Sequence, residues 1–255
     1  MRCMNYECII YEENNATAII TLNRPKVLNA MNKKLFDEIQ IALKSIQQND
    51  DIKTIIFTGS GRAFSTGADL KESKDRTIEN YRLYLESLQE ASRKIIKFEK
   101  PTIAAINGYA LGSGYELALA CDIRIAAKNA LIGSPEAKVV SSVTGGALRL
   151  LQNLVGPGMA CQLLFTAENI TGEKAQEIGL VNKAVDLENL MSEAFIIADK
   201  IALNSPFSLK LIKKGLRMAQ GESSLEALME YEVEACLACV ATKERQKSLE
   251  EFASK

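Results

Sequence analysis

Residues 101–136 constrain this chain more than any other stretch. Thr102-Ile103-Ala104-Ala105-Ile106 is a short apolar run with the character of a buried strand. Asn107-Gly108 then turns the chain. A loop of small residues follows, ending in Gly112-Ser113-Gly114. Glu116-Leu117-Ala118-Leu119-Ala120-Cys121 reads as an apolar helix with its acid in the first turn, and Asp122-Ile123-Arg124-Ile125-Ala126 returns to extended structure. This order exposes free N–H groups beside an acid, and free N–H groups at a helix start favour negative charge. Ser134-Pro135-Glu136 supplies a second acid at another expected helix start. Two acids and a set of unpaired N–H donors suit the formation of an enolate. The same residues also fit plain helix capping. Ser113-x-x-Glu116 matches a capping box, and Ser134-Pro135-Glu136 an N-cap followed by the first two helical positions. Spacing leaves both readings open.

The rest of the composition narrows the function by exclusion. The chain has 255 residues, 47% of them hydrophobic, enough for one large domain or a domain with an extension. Its net charge of −1 makes no electrostatic case for nucleic acid as a partner. Residues 1–11 carry Arg2 and Glu7 within a brief apolar pattern, unlike the uninterrupted core of a signal peptide. No later run is long enough to span a bilayer. The expectation is therefore a cytoplasmic protein with no membrane partner. Histidine is absent, which excludes a histidine base, a histidine-paired nucleophile and most zinc sites. Six cysteines are scattered at Cys3, Cys8, Cys121, Cys161, Cys236 and Cys239. Cys236-x-x-Cys239 lies in a helical stretch with no second pair, so these residues read as small apolar packing groups, reduced, with no metal between them.

Taken in order, residues 6–11 and 16–22 read as paired strands across Glu12-Glu13-Asn14-Asn15. From Asn32 an amphipathic helix carries Leu35, Phe36, Ile39, Ala42, Leu43 and Ile46 at helical spacing. Residues 53–58 form a buried strand ended by Gly59-Ser60-Gly61. Phe64-Ser65-Thr66-Gly67-Ala68-Asp69 is a glycine turn entering a short helix, with Thr66-x-x-Asp69 as a possible cap. Residues 71–80 are polar and read as a surface loop, and 81–98 resume helical periodicity. After Glu136, helices are expected from Gly145-Gly146, Gly156-Pro157-Gly158 and Thr171-Gly172, with a last strand at 181–185. From Leu187 the pattern is helical to the end. The organisation expected is an α/β core over 1–193 and a helical extension over 194–255 that packs on the domain or on another subunit. Apolar residues in that region, among them Leu225, Leu228, Met229 and Val233, exceed what a solvated tail needs.

These residues resemble the crotonase superfamily, and most closely its enoyl-CoA hydratases. The resemblance runs through Asn23-Arg24-Pro25, Leu28-Asn29-Ala30, Phe64-Ser65-Thr66-Gly67-Ala68-Asp69, Lys100-Pro101 and Asn107-Gly108-Tyr109-Ala110. It continues through Glu116-Leu117-Ala118, Cys121-Asp122, Ser134-Pro135-Glu136, Gly145-Gly146 and Gly179-Leu180-Val181-Asn182. Each match is weak alone; the ordered set covers nearly the whole chain. The resemblance implies an α/β fold, a spiral of ββα units followed by a helical trimerisation region, assembled as a homotrimer or homohexamer.

It also implies the chemistry. An acyl-CoA thioester carbonyl would lie between the backbone N–H groups of Ala68 and Ser113, an oxyanion hole. Glu116 would orient and deprotonate water for attack at Cβ, and Glu136 would deliver a proton to Cα. Coenzyme A is then part of the substrate, with no separate cofactor and no metal. The implied CoA and substrate contacts are Lys26, Leu28 and Gly112, the turn bearing Ser65, Ala68, Asp69, Leu70 and Lys71, and the closing Phe252-x-x-Lys255. Residues 137–144 depart from the family pattern: they are one residue shorter and contain neither glycine nor proline. Retention of both acids favours reversible syn-hydration of a 2-enoyl-CoA. The alternatives are enoyl-CoA isomerisation or thioester hydrolysis through the same enolate, and a non-catalytic acyl-CoA-binding trimer.

Overall fold

The structure, a computed structural model, describes residues 6–69 and 78–221 of the chain. It opens with an antiparallel hairpin of β1 (Ile9–Asn14) and β2 (Thr17–Leu22), in register from Ile9 opposite Leu22 to Asn14 opposite Thr17. The connection is Asn15-Ala16 alone, so Glu12, Glu13 and Asn14 belong to the strand rather than to the expected turn. β1 is the edge of its sheet, where outward polar side chains stay solvated. Asn15, at φ +52°, takes the left-handed position that asparagine tolerates.

Helix α1 (Lys33–Gln47) follows, with Leu35, Phe36, Ile39, Ala42, Leu43 and Ile46 buried as their spacing requires. Asn32 caps it, its side chain accepting from the Leu35 N–H at 3.0 Å. Glu38 lies on the buried face too, because its carboxylate accepts from the N–H groups of Glu7, Cys8 and Ile9 at 3.0, 2.8 and 3.2 Å. Three donors replace water around that charge and fasten the start of the described chain to the helix.

The chain then winds in turns, each adding one strand to a large sheet, one to a small sheet, and a helix. The first turn is β3 (Thr54–Gly59), β4 (Ala63–Ser65) and α2 (Ile78–Ile96). The second is β5 (Thr102–Ile106), β6 (Tyr109–Leu111) and α3 (Ser113–Ala120). The third is β7 (Ile123–Ala127), β8 (Leu131–Gly133) and, after a longer connection, α4 (Ala147–Val155). There follow α5 (Pro157–Thr166), β9 (Ile170–Thr171), α6 (Gly172–Glu177) and β10 (Lys183–Val185), then α7 (Leu190–Ala202) and α8 (Pro206–Ala219). The large sheet has the order β1-β2-β3-β5-β7-β10 and is parallel from β2 onward. The small sheet has the order β4-β6-β8-β9. This is the spiral of ββα units that the sequence led us to expect. Residues 78–80, read as part of a polar loop, instead form the first turn of α2; residues 70–77 lie outside those described.

The large sheet is buried on both faces, which is why β3 and β5 are nearly continuous apolar runs. Along β3, Ile55 and Phe57 face the main core, while Ile56 faces Leu190, Ala194 and Ala198 of α7. Helix α3 is buried on every side, between α2, α4 and the small sheet. Its lack of a polar face, unusual for so short a helix, follows from that position. Helix α8 is fastened by charge. Lys213 and Arg217 reach Asp122 at 2.7 and 2.8 Å, and Asp122 also accepts from the Thr102 N–H and hydroxyl at 2.8 and 2.9 Å.

Cys8 and Cys121 are buried free thiols and Cys161 is an exposed one. Among the described residues, no helix is long and apolar enough to cross a membrane. Leu225, Leu228, Met229, Val233, Cys236 and Cys239 fall outside them.

Candidate active site

Strands β4, β6 and β8 are adjacent and parallel, so their carboxyl ends share one edge of the small sheet. The chain leaves that edge three times: through Thr66-Gly67-Ala68-Asp69 after β4, Gly112-Ser113 after β6, and Ser134-Pro135-Glu136 after β8. Positions far apart in sequence are thereby brought side by side. The carboxyl edge of parallel strands is where α/β folds commonly hold ligands.

The first two exits press against each other at glycines. A Cβ built on Gly67, whose φ is +93°, would lie 2.8 Å from the Leu111 carbonyl oxygen and 3.1 Å from the Ser113 nitrogen. One on Gly114 would lie 2.4 Å from the Ser65 carbonyl oxygen. No larger residue permits so close an approach of two backbones. Neighbouring donors are used: the Gly67 N–H by the Ser65 hydroxyl at 3.1 Å, and the Asp69 N–H by the Met31 carbonyl at 3.0 Å. The N–H groups of Ala68 and Ser113 donate to no described residue. Ser113 opens α3, where unpaired N–H groups and the helix dipole favour an anion.

A built support lies beneath Ala68. The Leu28 carbonyl accepts from both the N–H and the hydroxyl of Thr66, at 3.1 and 3.3 Å. The fully buried Ser65 hydroxyl donates to the Asn29 carbonyl at 2.8 Å. The Asn29 amide donates to the Ser60 and Ala63 carbonyls at 3.0 and 2.7 Å. Asp69 pairs with Arg24 at 2.8 Å. Ser65, Leu28 and Asp69 thus shape the turn through its backbone, while Lys26 stands exposed on the short 3₁₀ turn Pro25–Val27. Leu70, Lys71, Phe252 and Lys255 lie outside the described residues.

Glu116, in the first turn of α3, is only 2% exposed. Thr144 holds both of its oxygens: the backbone N–H donates to Oε1, and the hydroxyl to Oε2 at 2.8 Å. Burial pushes the carboxyl above its ordinary range; the Thr144 donors pull it back, and the nearby Glu136 charge adds to the rise. Glu136 begins a 3₁₀ turn, Glu136–Val139, and accepts a short hydrogen bond from the Ser134 hydroxyl. A Cβ on Gly112 would lie 2.8 Å from Glu136 Oε1. The second acid therefore touches the loop that carries Ser113, and the first projects from the helix that Ser113 opens.

The capping readings are corrected by this geometry. Gly112, not Ser113, precedes α3, no side chain caps that helix, and the Glu116 carboxylate reaches forward to Thr144. Pro135 occupies the cap position of Glu136–Val139 without a side-chain bond, and the Ser134 hydroxyl serves Glu136 instead. The Thr66 hydroxyl bonds Leu28 and Asp69 pairs with Arg24, so Thr66-x-x-Asp69 is not a cap. In all three, a tertiary partner outcompetes the local one. Sequence reasoning missed Thr144, Asn29 and the pairing of Arg24. Gly145-Gly146 did signal a special backbone, since both take positive φ (+61° and +82°), but not that it aims Thr144 at Glu116. The departing segment 137–144 carries a further oddity: Val140 is at φ +57° and 99% exposed, a rare conformation for a β-branched residue. Among the described residues no group of three or more His, Cys, Asp or Glu side chains is placed to hold a metal ion.

Comparison with known proteins gives a consistent result. The family model described as Enoyl-CoA hydratase/isomerase matches residues 12–255. The short-chain-enoyl-CoA hydratase of Clostridium acetobutylicum is 38% identical over 254 residues, 99% of this chain and 97% of the relative. The crotonyl-CoA hydratase of Syntrophomonas wolfei is 38% identical over 253 residues, again 99% and 97% of the two chains. Among solved structures, an enoyl-CoA hydratase from Bacillus anthracis superposes with a TM-score of 0.94 at 33% identity, covering 97% of this chain and 96% of the other.

Proposed function

Since the chain belongs to the enoyl-CoA hydratase/isomerase family of the crotonase superfamily, we propose that it is a hydro-lyase that adds water reversibly to a 2-enoyl-CoA. The observation that carries this reading is the convergence of two acids, Glu116 and Glu136, on two N–H donors with no described partner, those of Ala68 and Ser113. The thioester oxygen takes both N–H groups. Glu116, as the carboxylate, accepts a proton from water as its oxygen bonds to Cβ. The π electrons move to the thioester oxygen as an enolate, and the enolate collapses by taking a proton from Glu136 at Cα. Water and proton delivered to one face of the alkene make the addition syn, as the family resemblance implies. A proton returning from Glu116 to Glu136 through solvent resets the pair. Losing one donor of such a hole typically raises the barrier by about 3–4 kcal/mol. No separate cofactor enters this scheme, coenzyme A being part of the substrate.

The names of the two relatives favour a short acyl chain, which makes crotonyl-CoA the first substrate to test. Purified protein should consume the enoyl thioester absorbance of crotonyl-CoA and yield 3-hydroxybutyryl-CoA. Release of free CoA, or conversion only of a 3-enoyl-CoA, would replace hydration by hydrolysis or isomerisation. On the same reading, Lys26 contributes to CoA binding together with Leu70, Lys71, Phe252 and Lys255.

We also propose that the active form is a homotrimer or a pair of trimers. Support comes from the exposed apolar side chains of α8, where Ile212 and Leu216 are solvent-facing in the single chain, and from the apolar residues between Leu225 and Val240. Closed symmetry would bury such a surface. Light scattering at assay concentrations should give three or six times the mass of one chain, and a monomeric mass with full activity would refute the assembly.

A further inference from the structure

Glu116 is unusually well held for a group meant to exchange a proton, and one residue does the holding. Thr144 occupies both carboxylate oxygens, one through its backbone and one through its side chain at 2.8 Å. The segment cannot drift away from Glu116. Gly145 is packed so closely that a Cβ there would lie 3.3 Å from Glu116 Cβ and 2.9 Å from Ser92 Oγ. The Thr144 carbonyl, in turn, accepts from the Ala147 N–H at 2.9 Å where α4 begins. Two consecutive positive-φ glycines and a helix start thus lock the Thr144 backbone beneath the acid.

We propose that the Thr144 hydroxyl is a positioning group for Glu116, fixing the carboxylate plane so that the free lone pairs face the attacking water. This rests on the reading of Glu116 as the base. A carboxylate with two donors keeps one orientation, whereas one held only by the backbone N–H rotates about its last torsion. The charge argument has the same direction. Burial and the Glu136 charge both favour the protonated form of Glu116, and the two Thr144 donors oppose them. Glu136 is the charged group acting on Glu116 among the described residues, and Tyr115, next to it on α3, is the other titratable neighbour. The charged side chains of α2 (Glu79, Arg82, Glu86, Glu90, Arg93 and Lys94) and of α4 (Arg149) are not among the groups that act on the Glu116 carboxyl. Deleting the hydroxyl leaves the two raising influences opposed by one donor instead of two, so the acid must titrate at a higher pH.

The test is Thr144→Val, which keeps the β-branched shape and the backbone N–H, with Thr144→Ser restoring a hydroxyl. With crotonyl-CoA, Thr144→Val should lower kcat about tenfold, the usual consequence of losing one hydrogen bond to a charged group. KM should stay within about twofold, since a positioning group acts through Glu116 rather than on the bound substrate. The acid limb of the kcat–pH profile should move up by about one unit, that being the same tenfold. Thr144→Ser should recover most of both. A Thr144→Val enzyme with wild-type kcat and pH profile overturns the proposal, as does a kcat loss without movement of the acid limb or without rescue by Ser. Glu116→Gln, run alongside, separates the two levels. If it retains activity, the role of Glu116 as base fails; if it is inactive while Thr144→Val is normal, only the inference about Thr144 fails.

Discussion

Glu116→Gln and Glu136→Gln should each lower kcat for enoyl-CoA hydration on the order of a hundredfold or more, the scale of a positioned acid–base group. Neither change should unfold the protein. At position 116 the amide can keep both contacts: its oxygen accepts from the Thr144 N–H, and its NH₂ donates to the Thr144 hydroxyl, which rotates to accept. The thermal midpoint of Glu116→Gln should in fact equal or exceed that of the wild type near neutral pH. The sign follows from linkage. Burial raises the Glu116 pKa in the folded state, so between the unfolded and folded values the native protein binds more protons, and stability falls as pH rises through that window. At neutral pH the charge is held at a cost that the amide does not incur. Measured together, a large loss of kcat with no loss of midpoint marks a functional group. Preserved activity would return both acids to a structural role.

The second large effect concerns stability rather than turnover. Asp122 gathers four donors: the Thr102 N–H and hydroxyl, Lys213 and Arg217. Lys213 has only 9% of its side chain exposed, and burial already depresses its pKa against the pull of Asp122. Asp122→Ala would leave two largely buried cations without a counter-charge, which typically costs about 3–5 kcal/mol. Asp122→Asn should cost less, because an amide oxygen still serves Thr102. Denaturant midpoints at one fixed protein concentration would measure both. Hydrogen exchange should show the amides of α8 opening first, since this ion cluster fastens that helix to the sheet. A loss below about 1 kcal/mol for Asp122→Ala would mean that water replaces the carboxylate and that the cluster behaves as a surface pair.

What the sequence made legible was whatever has a period or a strong local preference. The apolar runs of β3 and β5, the stripe of α1 and its Asn32 cap are all set by neighbouring residues. The small sheet was not legible. Ala63–Ser65, Tyr109–Leu111 and Leu131–Gly133 are three residues each, too short to show alternation, and exist because each turn of the chain lays them beside the last. The candidate acids and donors were visible through family resemblance, while their supports were not. Glu38 reaches back some thirty residues and Glu116 forward twenty-eight, so the partner of each is chosen by topology. For the same reason the serine and threonine residues near the acids looked like caps. Locally they are good ones, and only the packed structure offers them something better.

The three exits from the small sheet have a consequence for how such a protein can change. Ala68 arrives on one turn of the chain, Ser113 and Glu116 on the next, and Glu136 with Thr144 on a third. The pair of donors is set by the clasp of the first two, at Gly67 and Gly114. Residues 137–144 take no part in that clasp, yet they begin beside one acid and end on the other. On the proposed assignment of roles, replacement of that single segment would reassign where protons go while the two N–H donors stay as they are. Anion stabilisation and proton delivery would then be separable traits, carried by different stretches of one chain.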